Sequence, residues 1–429
     1  TGDLVTESNA NLTTGGNDTV YSYLSAYALT ANVENGRILT SAAANLTGNS
    51  LNNVLYAGVG NNVLSGGNGT DTVSYRYTSA GVTVNLALTF AQATGGSGLD
   101  TLISIENLIG SNFNDNLSGN DGANRLDGGL GDDTLYAASG AETLIGGTGN
   151  DTLSYARAMS GVTISLANTA AQATGGSSSD TLVGIENLIG SNFNDSLTGN
   201  TGINRIEGRA GSDTLNGGAG ADTLIGGDGN DLYYVDNAGD IVIESNAILA
   251  IGGTDTVYSY LSAYTLTANV ENLRLLATGT ANGTGNTLNN VLYAGVGINV
   301  LDGATGTDTV SYTYGVTDST GVTVSLAVSS AQVTGSSGTD TLLSIENLIG
   351  SSYADKLTGS TGANSLSGAA GNDTLDGGAG IDTMAGGDGN DIYYVRDIGD
   401  LVSETNATAS TGGTDTVYSY LSAYTLTAN

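Results

Sequence analysis

The chain has 429 residues, and its 9 Lys and Arg against 42 Asp and Glu give a formal net charge of −33. Such an acidic composition argues against binding to nucleic acid or to anionic lipid. The sequence also has no Cys and no His, which excludes disulfides, thiolate metal sites and the usual zinc ligand. Oxygen ligands remain, and these favour calcium.

From the N-terminus onward, the sequence predicts spacers that alternate with runs of nine-residue units, and no segment shows the period of a helix. Residues 1 to 35 recur at 238–272 and, cut short, at 398–429, so we expect the chain to be part of a longer polypeptide. No stretch approaches the roughly 20 apolar residues of a membrane span, so membrane insertion is not expected. The six predicted segments are 1–74 (long spacer, three units), 75–154 and 155–234 (each a short spacer and five units), 235–311 (long spacer, three units), 312–394 (short spacer, five units) and 395–429 (truncated long spacer).

Each unit is glycine-rich up to an Asp at its sixth position and then has three residues with an apolar one in the middle, as in GGTGNDTLS from Gly146. This pattern predicts a turn followed by a strand that buries one side chain. Two units then form one 18-residue coil with two facing strands, and stacked coils give two parallel sheets around a thin core of Leu, Ile and Val. The predicted fold is all-β, a parallel β-roll or β-solenoid.

The sixth-position side chains of alternate units should stack above one another and share cations. Asp occupies the first, third and fifth units of every five-unit run, and Asn occupies the second, so one edge of the roll should bind ions more strongly. Stacked carboxylates repel by a few kcal/mol each at intermediate dielectric, and a hard cation with six to eight oxygen ligands removes that cost. The predicted metal ligands are Asp71, Asp115, Asp133, Asp151, Asp195, Asp213, Asp222, Asp231, Asp308, Asp355, Asp373, Asp382 and Asp391.

The alternative is that these side chains only cap turns through backbone amides. In the three-unit runs, with Asn53, Asn62 and Asp71 and later Asn290, Asn299 and Asp308, the expectation is hydrogen-bonded turns with little metal. The repeated Glu106, Glu186 and Glu346 should likewise satisfy backbone groups.

Catalysis is not expected from this sequence. Without histidine there is no H-E-x-x-H metal site and no Ser-His or Cys-His nucleophile pair. Carboxylate pairs are plentiful, but they fall at repeat positions, where structural roles predominate.

The units resemble the RTX, or haemolysin-type calcium-binding, repeat G-G-x-G-x-D-x-U-x, which GGNGTDTVS from Gly66, GGLGDDTLY from Gly128 and GGDGNDIYY from Gly386 match fully. The resemblance implies a right-handed β-roll, calcium held by Asp side chains and turn carbonyls, and export through a type I secretion channel with folding outside the cell. Glu142 and the Asn positions depart from the pattern.

Two functions follow as hypotheses. The first is a calcium-stiffened segment of a secreted bacterial cell-surface protein, such as an adhesin, a surface-layer protein or an extracellular filament, with copies of itself as possible partners. The second is the C-terminal secretion and folding tail of an exported hydrolase or epimerase. A soluble toxin is a more remote alternative.

Overall fold

A computed structural model describes residues 5–9, 16–176, 178–244, 249–404 and 411–426. The chain forms two compact parts, which we call unit 1 (Thr1–Gly226) and unit 2 (Gly227–Asn429). The division falls inside the five-unit run that starts at Gly190. The six-segment organisation expected from the repeats therefore stays a prediction.

The strands are short, and most of them have three or four residues. Those that begin in the first unit are β1 (Thr19–Ser22), β2 (Ala26–Ala28), β3 (Asn35–Ile38), β4 (Ala44–Thr47), β5 (Val54–Tyr56), β6 (Asn62–Ser65), β7 (Thr72–Ser74), β8 (Thr83–Asn85), β9 (Gln92–Ala93), β10 (Leu99–Ile103), β11 (Asn107–Ile109), β12 (Asn116–Ser118), β13 (Arg125–Leu130), β14 (Thr134–Tyr136), β15 (Thr143–Thr148), β16 (Thr152–Ser154), β17 (Thr163–Ser165), β18 (Gln172–Ala173), β19 (Ser179–Val183), β20 (Asn187–Ile189), β21 (Ser196–Thr198), β22 (Arg205–Ala210), β23 (Thr214–Asn216) and β24 (Thr223–Asp228).

The second unit repeats this pattern of short strands. They are β25 (Leu232–Val235), β26 (Ile241–Ile243), β27 (Thr256–Ser259), β28 (Ala263–Thr265), β29 (Asn272–Leu275), β30 (Gly279–Thr284), β31 (Val291–Tyr293), β32 (Gly297–Asp302), β33 (Thr309–Ser311), β34 (Thr323–Ser325), β35 (Gln332–Gly335), β36 (Gly338–Leu343), β37 (Asn347–Ile349), β38 (Lys356–Thr358), β39 (Ser365–Ala370), β40 (Thr374–Asp376), β41 (Thr383–Asp388), β42 (Ile392–Val395), β43 (Leu401–Ser403) and β44 (Thr416–Ser419).

The fold is a parallel β-roll, as the repeats predict. In the run from Gly110, consecutive strands alternate between two sheets: β11, β13 and β15 pair in one, and β12, β14 and β16 pair in the other. Parallel neighbours are one coil apart in register, so Leu117 faces Leu135 and Leu135 faces Leu153. In unit 2, β37, β39 and β41 and then β38, β40 and β42 repeat the arrangement.

The core is one residue wide on each strand, because a three-residue strand turns only its middle side chain inward. Each such Leu contributes roughly 1.5–3 kcal/mol relative to an exposed one. In the run from Gly110 the inward side chains are fully buried: Leu117, Leu126, Leu135, Leu144 and Leu153.

Short antiparallel pairs interrupt the parallel pattern in the short spacers, where β9 pairs with β10, β18 with β19, and β35 with β36. A single helical turn, α1 (Leu249–Gly252), lies in the second long spacer, where the repeats predict no helix. Both departures occur in spacers, where the nine-residue period is absent.

The turns need glycine for two reasons. In the unit from Gly128, Gly129 and Gly131 have φ of 103° and 117°, which L-residues rarely adopt. Gly128 itself has ordinary backbone angles, but a Cβ there would overlap the Oδ2 of Asp133 and the carbonyl oxygen of Gly146. The missing side chain therefore leaves a space that is lined by oxygen atoms.

Candidate metal sites

The sixth-position side chains form stacks that we call carboxylate columns. In unit 1 the backbone N–H of Asp115 donates to the Oδ1 of Asp133 at 2.8 Å, and the N–H of Asp133 donates to the Oδ1 of Asp151 at 2.8 Å. In unit 2, the N–H groups of Asp355 and Asp373 donate in the same way to Asp373 and Asp391, both at 2.7 Å. One carboxylate oxygen of each Asp thus fixes the side chain against the preceding coil, 18 residues away in sequence.

The second oxygen of most column carboxylates faces inward without such a partner. Several of these atoms have no hydrogen-bond partner among the described residues, although burying an unpaired carboxylate oxygen is costly. They are the Oδ2 atoms of Asp71, Asp133, Asp151, Asp308, Asp373, Asp382 and Asp391.

Burial raises the pKa values of these carboxyl groups. Desolvation, with the neighbouring charges of Asp115 and Asp151 as smaller contributions, raises the pKa of Asp133 to about 7. The pKa of Asp373 rises to about 7 and that of Asp151 to about 6, again chiefly through desolvation. Burial in the columns therefore disfavours the charged form of these carboxyl groups.

These features fit a hard cation. The Oδ2 of Asp133 and the carbonyl oxygen of Gly146 both line the space that a Cβ of Gly128 would fill. At Gly368 the same space is lined by the Oδ2 of Asp373 and the carbonyl oxygen of Gly386. Carboxylate and carbonyl oxygens are the ligands that Ca²⁺ takes in proteins.

A family model, described as the RTX calcium-binding nonapeptide repeat, matches the sequence of the runs of nine-residue units. The matched residues are 47–75, 109–141, 136–154, 183–202, 189–224, 198–233, 207–242, 284–312, 349–384 and 371–396. The chain belongs to the RTX calcium-binding nonapeptide repeat family. A search of curated proteins returned no match.

The RTX match coincides with the predicted runs. All thirteen Asp side chains predicted as ligands lie in RTX turns, and none is more than 4% exposed. The structure brings them together in columns, and their role as metal ligands stays a prediction.

The first Asp of each five-unit RTX run differs from the later ones, because its two oxygens already accept hydrogen bonds. Asp115 accepts from the Ser111 hydroxyl at 2.7 Å, from the Ser111 N–H at 2.5 Å and from the Val82 N–H at 2.7 Å. Ser191 and Ser351 hold Asp195 and Asp355 in the same way. This is the turn-capping arrangement, and a Ser at the second position of the unit is its sequence signal.

Asn positions and the repeated Glu residues satisfy backbone groups, as expected. Asn53 donates to the carbonyls of Val33 and Glu34 at 3.2 and 3.1 Å. The Oε2 atoms of Glu106, Glu186 and Glu346 accept the N–H groups of Asp71, Asp151 and Asp308, each at 2.8 Å. The side-chain amide of Asn299 donates to the carbonyl of Gly295 at 2.9 Å and also to the Oδ1 of Asp340 at 2.8 Å.

Sequence reasoning missed a set of buried Tyr–Asp pairs in the short spacers. The Tyr155 hydroxyl donates to the Oδ2 of Asp180 at 3.0 Å, and the Oδ1 of Asp180 accepts the N–H of Glu142 at 3.0 Å, as a column carboxylate does. Tyr75 and Tyr312 are buried at the equivalent positions beside Asp100 and Asp340, but their hydroxyls have no hydrogen-bond partner among the described residues. The available signal was a Tyr that directly follows the last strand of each run that precedes a short spacer, as in DTLSY from Asp151.

Hydroxyl groups also reach the other two spacer carboxylates. The Thr94 hydroxyl donates to the Oδ2 of Asp100 and the Thr334 hydroxyl to the Oδ2 of Asp340, each at 3.2 Å. The Oδ2 atoms of these spacer carboxylates therefore have protein donors, whereas those of Asp133, Asp151 and Asp373 have none among the described residues.

None of the helices among the described residues has the length and apolar character needed to cross a membrane.

Proposed function

We propose that this chain is a calcium-binding structural segment of a secreted bacterial cell-surface protein, of the adhesin, surface-layer or extracellular-filament kind, and that it folds when calcium binds outside the cell. RTX repeats are calcium-binding repeats, and proteins that carry them are typically secreted. The observation that carries the proposal is that the buried Oδ2 atoms of Asp133 and Asp151 in unit 1, and of Asp373 in unit 2, have no hydrogen-bond partner among the residues that the structure describes.

Charge supports coupling of folding to calcium. The net charge of −33 opposes compaction. The ion pairs among the described residues lie at the surface rather than in the columns, and they join Arg125 to Asp127, Arg205 to Glu207 and Arg396 to Asp376. Bound calcium would supply the missing positive charge, and its binding free energy would then be folding free energy.

The proposed ligands are the sixth-position Asp side chains together with turn carbonyls. Asp133, Asp151, Asp373 and Asp391 each offer an oxygen to which no donor of the described residues is bonded. Asp115, Asp195 and Asp355 offer oxygens that Ser donors already engage, so their contribution to calcium binding is proposed to be weaker.

Repetition supports a structural role over a catalytic one. The same coil recurs in both units with buried Leu and Asp at equivalent positions. Each additional coil adds one strand to each sheet, so repetition lengthens the roll, as a structural segment of a surface protein requires.

The test is size-exclusion chromatography with light scattering on the 429-residue chain in chelator, in several millimolar calcium and, as the matched control, in the same concentration of magnesium. We expect a larger radius in chelator and in magnesium than in calcium, because Mg²⁺ demands tight octahedral geometry and does not replace calcium in the RTX turns. An unchanged radius would refute calcium-coupled folding.

The molecular mass that light scattering gives in calcium distinguishes a self-assembling surface segment from a secretion tail. A calcium-dependent assembly supports a surface-layer or filament protein. A compact monomer instead favours the secretion tail of an exported hydrolase or epimerase.

A further inference from the structure

Two clusters of three carboxylates lie where the long spacers follow an RTX run. The first consists of Asp231, Glu244 and Asp255, and within it one ligand oxygen from each residue lies within 4.8 Å of the others. The second repeats it at the same sequence spacing with Asp391, Glu404 and Asp415. Both clusters lie within unit 2.

The widened coil brings the third carboxylate into place. Asp231 precedes β25 and Asp255 precedes β27, and the N–H of Asp231 donates to the Oδ1 of Asp255 at 2.8 Å across 24 residues instead of 18. Glu244 directly follows β26 and turns inward, with 7% of its surface exposed. In the second cluster, Asp391 and Asp415 repeat the column contact at 2.9 Å, also across 24 residues.

Tyrosines hold the added Glu side chains in place. The hydroxyl of the fully buried Tyr233 donates to the Oε1 of Glu244, and that of the fully buried Tyr393 donates to the Oε1 of Glu404. One oxygen of each Glu is thereby fixed on the inner face of the coil.

Buried oxygens that point to a ligand remain in both clusters. The Oε2 of Glu244 has no hydrogen-bond partner among the described residues, and the same is true of the Oδ2 of Asp391, which is 1% exposed. Three carboxylates, one of them with an unpaired buried oxygen, require either protons or a cation.

The pKa values of the two Glu side chains are consistent with a cation in each cluster. Desolvation, and then the charges of Asp255 and Asp231, raise the pKa of Glu244 to about 9. Desolvation and the charge of Asp415 raise the pKa of Glu404 to about 7.

We propose that Asp231, Glu244 and Asp255 bind one hard divalent cation of the Ca²⁺ class through their carboxylates, and that Asp391, Glu404 and Asp415 bind a second. These sites differ from the RTX turn sites because a third carboxylate, from the end of another strand, adds a negative charge. The proposal goes beyond the proposed function, which the remaining RTX turns would still support if the clusters bound nothing.

The test is the number and affinity of calcium ions bound per chain, measured by equilibrium dialysis for the wild type, Glu244→Gln, Glu404→Gln and the double variant. Gln keeps an acceptor for the Tyr hydroxyl, so the coil retains its hydrogen bond. We expect each single variant to lose one ion, or to bind it at least tenfold more weakly, and the double variant to lose two. Glu207→Gln, which removes the same charge from a surface ion pair with Arg205, should lose none.

The outcomes separate the two proposals. If the wild type binds no calcium, the proposed function fails. If the wild type binds calcium and the double variant keeps the same number of ions at the same affinity, only the inference about the clusters fails.

A second readout does not depend on folding of the Gln variants. Terbium bound in the clusters would lie beside the hydroxyls of Tyr233 and Tyr393, so excitation of tyrosine should produce terbium emission. In Tyr233→Phe/Tyr393→Phe this emission should fall while the number of bound ions stays the same. Undiminished emission would place the terbium elsewhere and overturn the proposal.

Discussion

The RTX coils and the short-spacer coils place carboxylates in equivalent column positions but satisfy them differently. Asp151 and Asp180 each accept a backbone N–H from the preceding coil, that of Asp133 or of Glu142. The second oxygen of Asp151 has no hydrogen-bond partner in the described part of the chain, whereas that of Asp180 accepts the Tyr155 hydroxyl. A hydroxyl completes this column position in the short spacer, and we propose that an ion completes it in the RTX turn, where stability would then depend on calcium.

Removal of calcium should have the largest effect, because it should destabilise the RTX coils before the short-spacer coils. As calcium is lowered, we expect the amide of Asp115, bonded to Asp133, to lose protection from hydrogen exchange before the amide of Glu142, bonded to Asp180. Starting from about 100 times the dissociation constant, the loss should approach two orders of magnitude, or about 2.7 kcal/mol. Hydrogen exchange followed by mass spectrometry checks this, and simultaneous loss of protection in both regions would contradict it.

Acid should partly replace calcium. In the absence of calcium, burial raises the pKa of Asp133 and Asp373 to about 7 and that of Glu142 to about 8, against ordinary values near 4. A raised carboxyl pKa contributes stability that is complete below the unfolded value and is lost as pH rises through the folded one. In chelator, thermal stability should therefore fall between about pH 4 and pH 8.

In saturating calcium this pH dependence should be weaker or reversed, because the cation favours the charged carboxylates. Melting temperatures measured from pH 5 to pH 9, with and without calcium, test the sign. A chain without calcium that is more stable at pH 8 than at pH 5 would rule out the assignment.

Asp373→Asn tests the role of charge at one RTX column position. Asn keeps an acceptor for the Asp355 N–H but loses the negative charge. In calcium at about 100 times the dissociation constant we expect a loss of about 3 kcal/mol. In chelator we expect a gain on the order of 1 kcal/mol, because a like charge leaves the column. Denaturant unfolding in both conditions measures the change of sign, and Asp340→Asn in a short spacer should show no such change.

Tyr155→Phe tests the short-spacer coils, in which a hydroxyl completes the buried carboxylate. The buried Asp180 would lose a donor at 3.0 Å, which should cost about 1–3 kcal/mol equally in calcium and in chelator. Tyr136→Phe, at a partly exposed ring beside Arg157, is the control and should change stability little. A calcium-dependent effect of Tyr155→Phe would argue against a site completed by hydroxyls.

The smallest expected effect concerns a turn. Ala369 occupies the second position of an RTX unit with φ of 78°, a conformation that Gly adopts without strain. Ala369→Gly should stabilise the chain by about 1 kcal/mol. Ala370→Gly, at a neighbour outside the left-handed region, should be slightly destabilising, and equal effects of the two variants in thermal unfolding would contradict the strain argument.

The sequence by itself determined the repeating part of this protein. A nine-residue period with one apolar residue in each short strand leaves few ways to bury Leu117 or Leu135, and stacking in register follows from parallel hydrogen bonding. The same period places Asp133 above its neighbours, so the columns could be predicted as well. Even the capping of Asp115 had a local signal in Ser111.

Only the tertiary structure decided how the non-periodic parts complete the columns. Tyr155 and Asp180 are 25 residues apart, and Glu244 reaches Asp231 and Asp255 only because the widened coil turns the end of β26 inward. Spacers have no period that fixes which side chain meets which, so these contacts depend on how the chain returns to the sheet. For that reason the sequence could predict where the carboxylates stack, but not which of them are completed by a hydroxyl and which by a third carboxylate.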